Sequence, residues 1–368
     1  MRVLMTCGGT AGHINPAIAI ANTIKEREQD AEIAFVCSTV PNDITPKLLA
    51  KTDYNKLYKV NICGMHKIWN PKNVKTLYLM AKSAIEAKKI IVEFKPDIII
   101  GTGGFACYPV LNEGRKLNIP TIVHESNTFP GKAVKRLANK VDVVMTGFEE
   151  VKNDISSKAN VINVGNPTIK QGKSVSEKCD TNEGYEKCLL SFGGSRGAMM
   201  LNYGVVDMIE ALCDKHPDTL FYHASGSLYI DEITEMFRER GLDKKPNVRL
   251  CEYIYDMDTR MKNATAVISR SGAMSMSELS LNKKAAILVP SPNVANNHQY
   301  KNAKSLYDRG AVMLVEEKDF ASGALISAAD KLLSDATLRG KLEESISTVA
   351  IKDANNVIYN HIKELTKK

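Results

Sequence analysis

A parallel α/β architecture in two halves is what this 368-residue sequence predicts, on three observations. Short apolar runs of strand length alternate with segments of helical period. Glycine-rich turns stand where a strand run ends and a helix pattern begins. The alternation stops at a polar stretch, 171–187, and restarts at Cys188. The length also suits two domains at about 150 residues each.

Val3–Thr6 reads as the first strand, and GGTAGH (8–13) follows it. Pro16–Arg27 reads as a helix and Ile33–Cys37 as the next strand. Then come Ala81–Phe94 (helix), Asp97–Gly101 (strand), Ala106–Leu117 (helix), Thr121–Glu125 (strand) and Val134–Ala138 (short helix). Val141–Thr146 and Val161–Val164 are further strands, closed by Gly165–Pro167. The stretch from Gln171 to Lys187 has the Lys, Glu, Ser and Asn content of a connector. The second series runs from the strand at Cys188 through Met199–Lys215 (helix), Leu220–Ala224 (strand), Ile230–Arg240 (helix) and Val248–Cys251 (strand). Met257–Asn263, the strand Ala266–Ser269, the helix Ser275–Leu281 and the strands Ala285–Val289 and Ala311–Val315 complete it. The tail, Ala324–Lys367, reads as largely helical.

Composition narrows the class. Hydrophobic residues make up 44% and charged residues 25%, which excludes a disordered or collagen-like chain. The net charge of +7 permits attraction to anionic ligands or an anionic bilayer without requiring either. Eight cysteines are scattered with no Cys-x-x-Cys, so they read as buried reduced thiols rather than a zinc ribbon or redox pair. No apolar run is long enough for a membrane-spanning helix. The sequence reads as cytosolic, touching a membrane from that side. Basic residues do not interleave with aromatics, which argues against a nucleic-acid partner.

Three glycine loops follow strand ends: GGTAGH (8–13), GTGGF (101–105) and GGSRGA (193–198). Each lets backbone approach a ligand at a helix N-terminus suited to an anion. Gly8, Gly9 and Gly12 do not make Gly-x-Gly-x-x-Gly, and Asp43 comes late for a ribose-binding acid, so a nicotinamide dehydrogenase is disfavoured. No Gly-x-x-x-x-Gly-Lys-Ser/Thr occurs. Ser195, in GGSRG, reads as an oxygen-binding hydroxyl rather than an activated nucleophile.

RSGAMSMSE (270–278) places Ser271, Gly272 and a helix start where a diphosphate can be gripped, with Glu278 two turns on as an acceptor for ribose hydroxyls. Asn296, Asn297, His298 and Gln299 form an amide-rich loop suited to sugar hydroxyls. His13, in the first turn of a helix, has two readings: a general base for a hydroxyl nucleophile, or a structural first-turn histidine. His124, Glu125, Ser126 and Asn127 form a second polar tip after a strand.

These landmarks, with KPDIIIGTGGFACYP (95–109), HESNTFPG (124–131), GNP (165–167), YIYDM (253–257) and PSPNVANNHQYKNA (290–303), run in the order of the MurG family of bacterial peptidoglycan glycosyltransferases, which the sequence resembles along nearly its whole length. The resemblance implies a GT-B fold: two Rossmann-like domains facing a central cleft, with the C-terminal helix returning to the first. It implies an N-terminal acceptor and membrane-facing domain at 1–166, a linker at 167–187, a UDP-GlcNAc-binding domain at 188–345 and a helical tail at 346–368. The implied activity is inverting transfer of N-acetylglucosamine (GlcNAc) from UDP-GlcNAc to lipid I, the undecaprenyl-diphosphate-linked muramoyl-pentapeptide, giving lipid II. Related transferases, a UDP-GlcNAc epimerase and a non-catalytic nucleotide-sugar-binding scaffold are the alternatives.

By the same resemblance His13 is the catalytic base. Thr10, Ala11, Gly12 and Asn127 face the reacting centre, and Gly103, Gly104, His124 and Glu125 lie on the acceptor side. Ile254 meets the uracil through its backbone, and Ser195 with Ser271, Gly272, Ala273 and Met274 holds the phosphates. Glu278 takes the ribose, and His298 and Gln299 take the sugar. No metal or cofactor is assigned. Four positions depart from the family pattern: Ala11, Phe105, Ile169 and Arg196, with Lys170 beside Ile169 as a substitute charge. A lipid acceptor implies a peripheral location on the cytoplasmic side of the cell membrane, with cell-wall synthesis proteins as possible partners. The expected contact with the anionic surface runs from Ile62 to Lys89. It includes Trp69, Leu77, Tyr78, Met80 and Ala81, a Met80–Ala84–Ala87 stripe, and Lys67, Lys72, Lys75, Lys82, Lys88 and Lys89.

Overall fold

The computed structural model describes residues 1–62, 72–169, 182–294 and 297–367, with backbone alone for 72–77. The chain divides into two compact units, Met1–Lys170 with Ile351–Lys368, and Gln171–Ala350.

The first unit runs β1 (Arg2–Thr6), α1 (Ala11–Arg27), β2 (Glu32–Ser38), α2 (Thr45–Leu49), β3 (Leu57–Val60), α3 (Lys72–Phe94), β4 (Ile98–Gly101), α4 (Cys107–Lys116), β5 (Thr121–Glu125), α5 (Lys132–Leu137), β6 (Val143–Thr146) and β7 (Val161–Asn163). Its seven strands pair in parallel in the order β3-β2-β1-β4-β5-β6-β7. Helices cover both faces, so the central strands are buried on both sides and read as continuous apolar runs. Val3, Met5, Phe35, Ile98 and Ile100 pack on one face with the Ile14–Ile24 side of α1. Leu4, Ala34, Val36, Ile99 and Val123 pack on the other with α3 and α4.

The second unit repeats the plan: β8 (Lys187–Phe192), α6 (Met199–Leu212), β9 (Thr219–Ala224), α7 (Ile230–Glu239), β10 (Val248–Cys251), α8 (Met257–Asn263), β11 (Ala266–Ser269), α9 (Ala273–Leu281), β12 (Ala286–Leu288), α10 (His298–Asp308), β13 (Met313–Leu314), α11 (Ala324–Ser334) and α12 (Ala336–Ser347). Its six strands are parallel in the order β10-β9-β8-β11-β12-β13. The last helix, α13 (Ala354–Thr366), belongs to the first unit. It buries Ile358 and Ile362 in that core, each worth about 1.5–3 kcal/mol. It is tied to α1 by Asn355 Nδ2 donating to Thr23 Oγ1 (3.0 Å) and by Tyr359 and Lys363 on Glu28. Two doubly wound units with this returning helix are the GT-B architecture.

In each sheet the strand order reverses once, between β1 and β4 and between β8 and β11. The loops leaving neighbouring strands there turn to opposite faces, and ligands of open α/β sheets bind at that point. The loops after β1 and β4 are GGTAGH and GTGGF. Those after β8 and β11 are GGSRGA and RSG.

Several expectations change. The first helix begins at Ala11, not Pro16, because Pro16 removes only the donor that the Gly12 carbonyl would meet. The amide-rich loop turns into helix at His298, entered through Asn297 in the left-handed region. The expected Met80–Ala84–Ala87 stripe faces inward: Ala87 is fully buried against the sheet, and Met80 and Ala84 are half-buried. The outer face of α3 instead exposes Tyr78, Ile85 and Val92, by 67, 60 and 56%. Their seven-residue spacing keeps them in one stripe. Lys67 and Trp69 lie outside the described residues, as do Lys170, Asn296 and most of the expected linker. The side chains of Lys72, Lys75 and Leu77 also fall outside them.

Candidate functional site

In the first unit the chemistry gathers at the β1/β4 reversal. Thr10 caps α1 in extended conformation, and its carbonyl accepts from the N–H groups of His13 (3.0 Å) and Ile14 (3.2 Å). The N–H groups of Ala11 and Gly12 precede any intrahelical acceptor, so they form the positive end of the helix. His13 lies across the β4 loop. Its Nδ1 is 3.1 Å from the Thr102 carbonyl, and the Thr102 hydroxyl donates to the His13 carbonyl at 2.6 Å. A carbonyl can only accept, so the neutral ring carries its proton on Nδ1, and Nε2 is the basic nitrogen.

The two glycine loops are in close contact. A Cβ on Gly103 would lie 2.3 Å from His13 Nδ1, and one on Gly104 would lie 2.6 Å from the Gly8 carbonyl oxygen. Both glycines have positive φ, +110° and +92°. Cys107 clamps this loop from beneath: its thiol lies 3.1 and 2.9 Å from the carbonyls of Thr6 and Gly103, and the Gly103 N–H meets its sulfur. Burial pushes that thiol up to about 12, so it stays protonated.

His124 and Glu125 do not present themselves to an acceptor as expected. His124 is fully buried, with Nε2 3.0 Å from the Gly165 carbonyl and Nδ1 3.4 Å from Ser126 Oγ. Burial lowers it to about 4, so it stays neutral. Glu125 is buried and spent on its own loop, accepting from the N–H and side-chain amide of Asn127 and from the Gly131 N–H. The pair thus supports the loop that carries Asn127.

In the second unit the loop Gly193–Ala198 leaves β8 with Ser195 exposed. Gly193–Gly197 is formally a Gly-x-Ser-x-Gly, but Ser195 Oγ has no imidazole partner among the described residues. The Ser195 carbonyl accepts from Ser227 N–H, which seats this loop on the one after β9. After β11, Gly272 caps α9, whose first N–H groups, at Ala273, Met274 and Ser275, lack helical acceptors. Ser271 is not an open hydroxyl, which corrects its direct phosphate role: it is fully buried and donates to the Gln299 carbonyl at 2.8 Å. It thereby joins the α9 start to α10. Gln299 Oε1 accepts from the Ser291 N–H at 2.9 Å, which leaves its NH2 group to donate. His298 is half-buried as the first residue of α10. Glu278 sits two turns along α9, part-buried. Burial and then the charge of Asp258 push its carboxyl up to about 7.

Four features escape sequence reasoning. Asp43 accepts from Ser38 N–H and Oγ (3.2 and 2.7 Å) and from Thr45 N–H and Oγ1 (3.0 and 2.5 Å). A Cβ on Gly8 would fall 2.6 Å from its Oδ2, so this carboxylate seats the first glycine loop. Burial raises it, but hydrogen bonds from Thr45, Ser38 and the Gly9 backbone hold it below the usual range. Asn302 is fully buried and donates to the Ser271 carbonyl. Arg270, paired with Glu317, also donates to the Val289 carbonyl and pins the β11 loop. The Asp-x-Asp triplet Asp256–Met257–Asp258 heads α8, with Asp256 accepting from Arg260 Nε at 3.0 Å. The triplet is plain in the sequence; Arg270 and Asn302 stand inside motifs read above but have partners 19 to 47 positions away, and Asp43, bonded to close neighbours, meets Gly8 only in the fold.

Comparison with known proteins adds the following. Residues 3–146 match the glycosyltransferase family 28 N-terminal domain, and residues 188–364 match its C-terminal domain. The chain is 32% identical over 366 residues to the UDP-N-acetylglucosamine–N-acetylmuramyl-(pentapeptide) pyrophosphoryl-undecaprenol N-acetylglucosamine transferase of Lactococcus lactis subsp. cremoris, covering all of both chains. It is 34% identical over 374 residues to the protein of that name from Acetivibrio thermocellus, covering 100% of this chain and 99% of that one. Among solved structures, Acinetobacter baumannii MurG superimposes with a TM-score of 0.79 at 23% identity, covering 99% of both chains. The Neisseria meningitidis UDP-GlcNAc 2-epimerase bound to UDP-GlcNAc gives 0.65 at 15%, covering 99% of this chain and 100% of that one, which is likeness of fold.

Proposed function

This chain belongs to glycosyltransferase family 28 and, within it, to the MurG family, and on that premise we propose that it transfers N-acetylglucosamine from UDP-GlcNAc to the muramoyl 4-hydroxyl of lipid I, releasing UDP and forming lipid II. The observation that carries the reading is the His13 arrangement: an imidazole at a helix start, with Nδ1 tied to a carbonyl and Nε2 left basic. Nε2 takes the proton of the acceptor hydroxyl as its oxygen attacks the anomeric carbon. The bond from that carbon to the diphosphate oxygen breaks, and its electron pair leaves with UDP. One displacement inverts the anomeric centre and gives a β(1→4) link. The free N–H groups at the start of α9, with Ser195 on its loop, stabilise the charge that grows on the diphosphate. Glu278 holds the ribose, the Gln299 amide donates to the sugar, and Thr10, Ala11, Gly12 and Asn127 face the reacting centre.

The test is incubation of the purified protein with labelled UDP-GlcNAc and a lipid I analogue, followed by linkage analysis. β(1→4)-linked product that requires the analogue is expected. Sugar release or epimerisation without the acceptor, or UDP binding with no transfer, overturns the reading.

Donor affinity carries a pH signature. Ribose hydroxyls donate to the ionised Glu278, and with its carboxyl near 7 the binding form is present above that pH and lost below it. UDP-GlcNAc affinity therefore rises about tenfold from pH 6 to pH 8, with release of a proton on binding near pH 7. Calorimetry across this range checks it, and Glu278→Gln flattens the profile. UDP-GlcNAc is the right probe, because its diphosphate has no terminal phosphate to titrate.

The acceptor's prenyl chain lies in a bilayer, and no helix among the described residues is long and apolar enough to cross one. Peripheral contact from the cytoplasmic face is the reading that fits. The exposed Tyr78–Ile85–Val92 stripe of α3, bordered by Lys82, Lys88 and Lys89, offers apolar insertion with about 1 kcal/mol of attraction per lysine at low salt. Vesicle sedimentation checks it. Ile85→Glu with Val92→Glu lowers binding to phosphatidylglycerol vesicles several-fold and leaves UDP affinity unchanged, whereas equal binding by parent and variant removes this face from the contact.

A further inference from the structure

A groove of about 980 Å³ lies in the first unit, between α1 and the segment that joins α2 to β3. Its α1 side is a single helical stripe, Asn15, Ile18, Asn22 and Lys25. Ile18 and Ile33, both buried, make an apolar floor, and Lys51, Tyr54 and Lys56 line the far wall. Several of its polar groups are unspent. The Tyr54 hydroxyl donates to Asn22 Oδ1 at 2.8 Å, which leaves the Asn22 NH2 group to donate. The side chain of Asn15 is half-buried with no hydrogen-bond partner among the described residues. Lys56 is paired with Glu32 at 3.1 Å, but Lys25 and Lys51 have no carboxylate partner among those residues.

The stripe continues by helical period to Ala11 and Gly12, the positions proposed to face the reacting centre. His13 stands on the other side of the same first turn. Gly12 is exposed and bare, and the helix backbone is only about 5 Å across, so a short link can pass over it from the reacting hydroxyl into the groove. In muramic acid the peptide hangs from a lactyl ether on C3, next to the reacting C4 hydroxyl. Length agrees as well. The helix rises about 15 Å from Asn15 to Lys25, and five extended residues span about 17 Å. An extended peptide brings unpaired backbone groups and a terminal carboxylate. Two side-chain amides, an apolar floor and two lysines without counter-ions answer them.

We propose that this groove holds the peptide of the acceptor, laid along α1 from the muramoyl sugar, with Asn15 and Asn22 on its backbone and Lys51 and Lys25 facing its carboxylate charge. The inference rests on the lipid I reading above.

Transfer to two short-chain lipid I analogues tests it, one carrying the pentapeptide and one whose lactyl group ends in a methylamide. The parent has a several-fold higher kcat/KM for the pentapeptide analogue. Lys51→Glu lowers that value about three- to tenfold at low salt and less at high salt, and leaves the methylamide analogue and UDP affinity unchanged. Asn15→Trp fills the head of the groove and removes an amide, lowering kcat/KM about tenfold, again for the pentapeptide analogue alone. Lys51 is exposed, so Lys51→Glu keeps the test open even where Asn15→Trp does not fold. A parent indifferent to the peptide overturns the inference while transfer stands. Folded variants that keep the parental preference, or that lose equally with both analogues, overturn it too. A parent that transfers to neither analogue overturns the lipid I reading and this inference together.

Discussion

Replacing His13 with alanine lowers transfer by about 10²- to 10⁴-fold while the protein stays folded and binds UDP as before. The ring is half-buried at the start of α1 and contributes no apolar mass to the core, so its removal leaves a surface gap rather than a cavity. What is lost is a base with a fixed proton. With Nδ1 on the Thr102 carbonyl at 3.1 Å, only Nε2 can accept from a hydroxyl. Turnover at saturating lipid I analogue is the measurement, with UDP calorimetry and thermal unfolding as controls. His13→Gln separates position from chemistry: its amide can still donate to the Thr102 carbonyl but cannot take a proton at neutral pH, so it is as slow as alanine. Near-parental turnover in either folded variant sinks the assignment.

Gly103→Ala is the second large effect, and it comes from a residue that does no chemistry. Its added methyl would sit 2.3 Å from His13 Nδ1, well inside any real carbon contact, at a φ of +110° that side chains resist. The backbone cannot yield easily, because the Gly103 N–H and carbonyl are both held by Cys107. The imidazole must therefore swing off the Thr102 carbonyl. A displacement of about 1 Å in a reacting group costs on the order of 10²-fold, so turnover falls by roughly that factor. The proposed donor site is built on the other unit, so UDP affinity is unchanged. Turnover within threefold of the parent shows that His13 does not need this contact.

Both predictions depend on a seat that local sequence could not reveal. GGTAGH and GTGGF were each legible as strand-to-helix turns, and their shared edge of a parallel sheet followed from the α/β alternation. That Gly103 must be glycine because an imidazole lies on it is a contact across ninety positions of chain. Asp43 shows the same limit. Read locally it was a misplaced ribose acid; folded, it is the carboxylate that seats Gly8 and Gly9.

The sequence by itself determined the two-part α/β plan, most strand and helix positions, and the return of the C-terminal helix expected of the family. It did so because buried parallel strands are written as short apolar runs, and because helix-starting loops need glycine wherever backbone must come close. Sequence reading missed α2, the edge strand β3, the whole of α10 and the first part of α3. β3 is only half-buried, so its residues have no apolar run to announce them. α10 opens with amide-rich residues that look like loop until Asn297 turns the chain through the left-handed region. The tertiary structure alone showed which polar residues are spent inside the fold. Ser271 stood in the same motif as Glu278, and His124 in a strand-end motif like that of His13, yet each is fully buried on a backbone carbonyl, Gln299 for one and Gly165 for the other. A buried polar atom must find a partner, and that partner is set by how strands and helices from distant parts of the chain come to lie side by side.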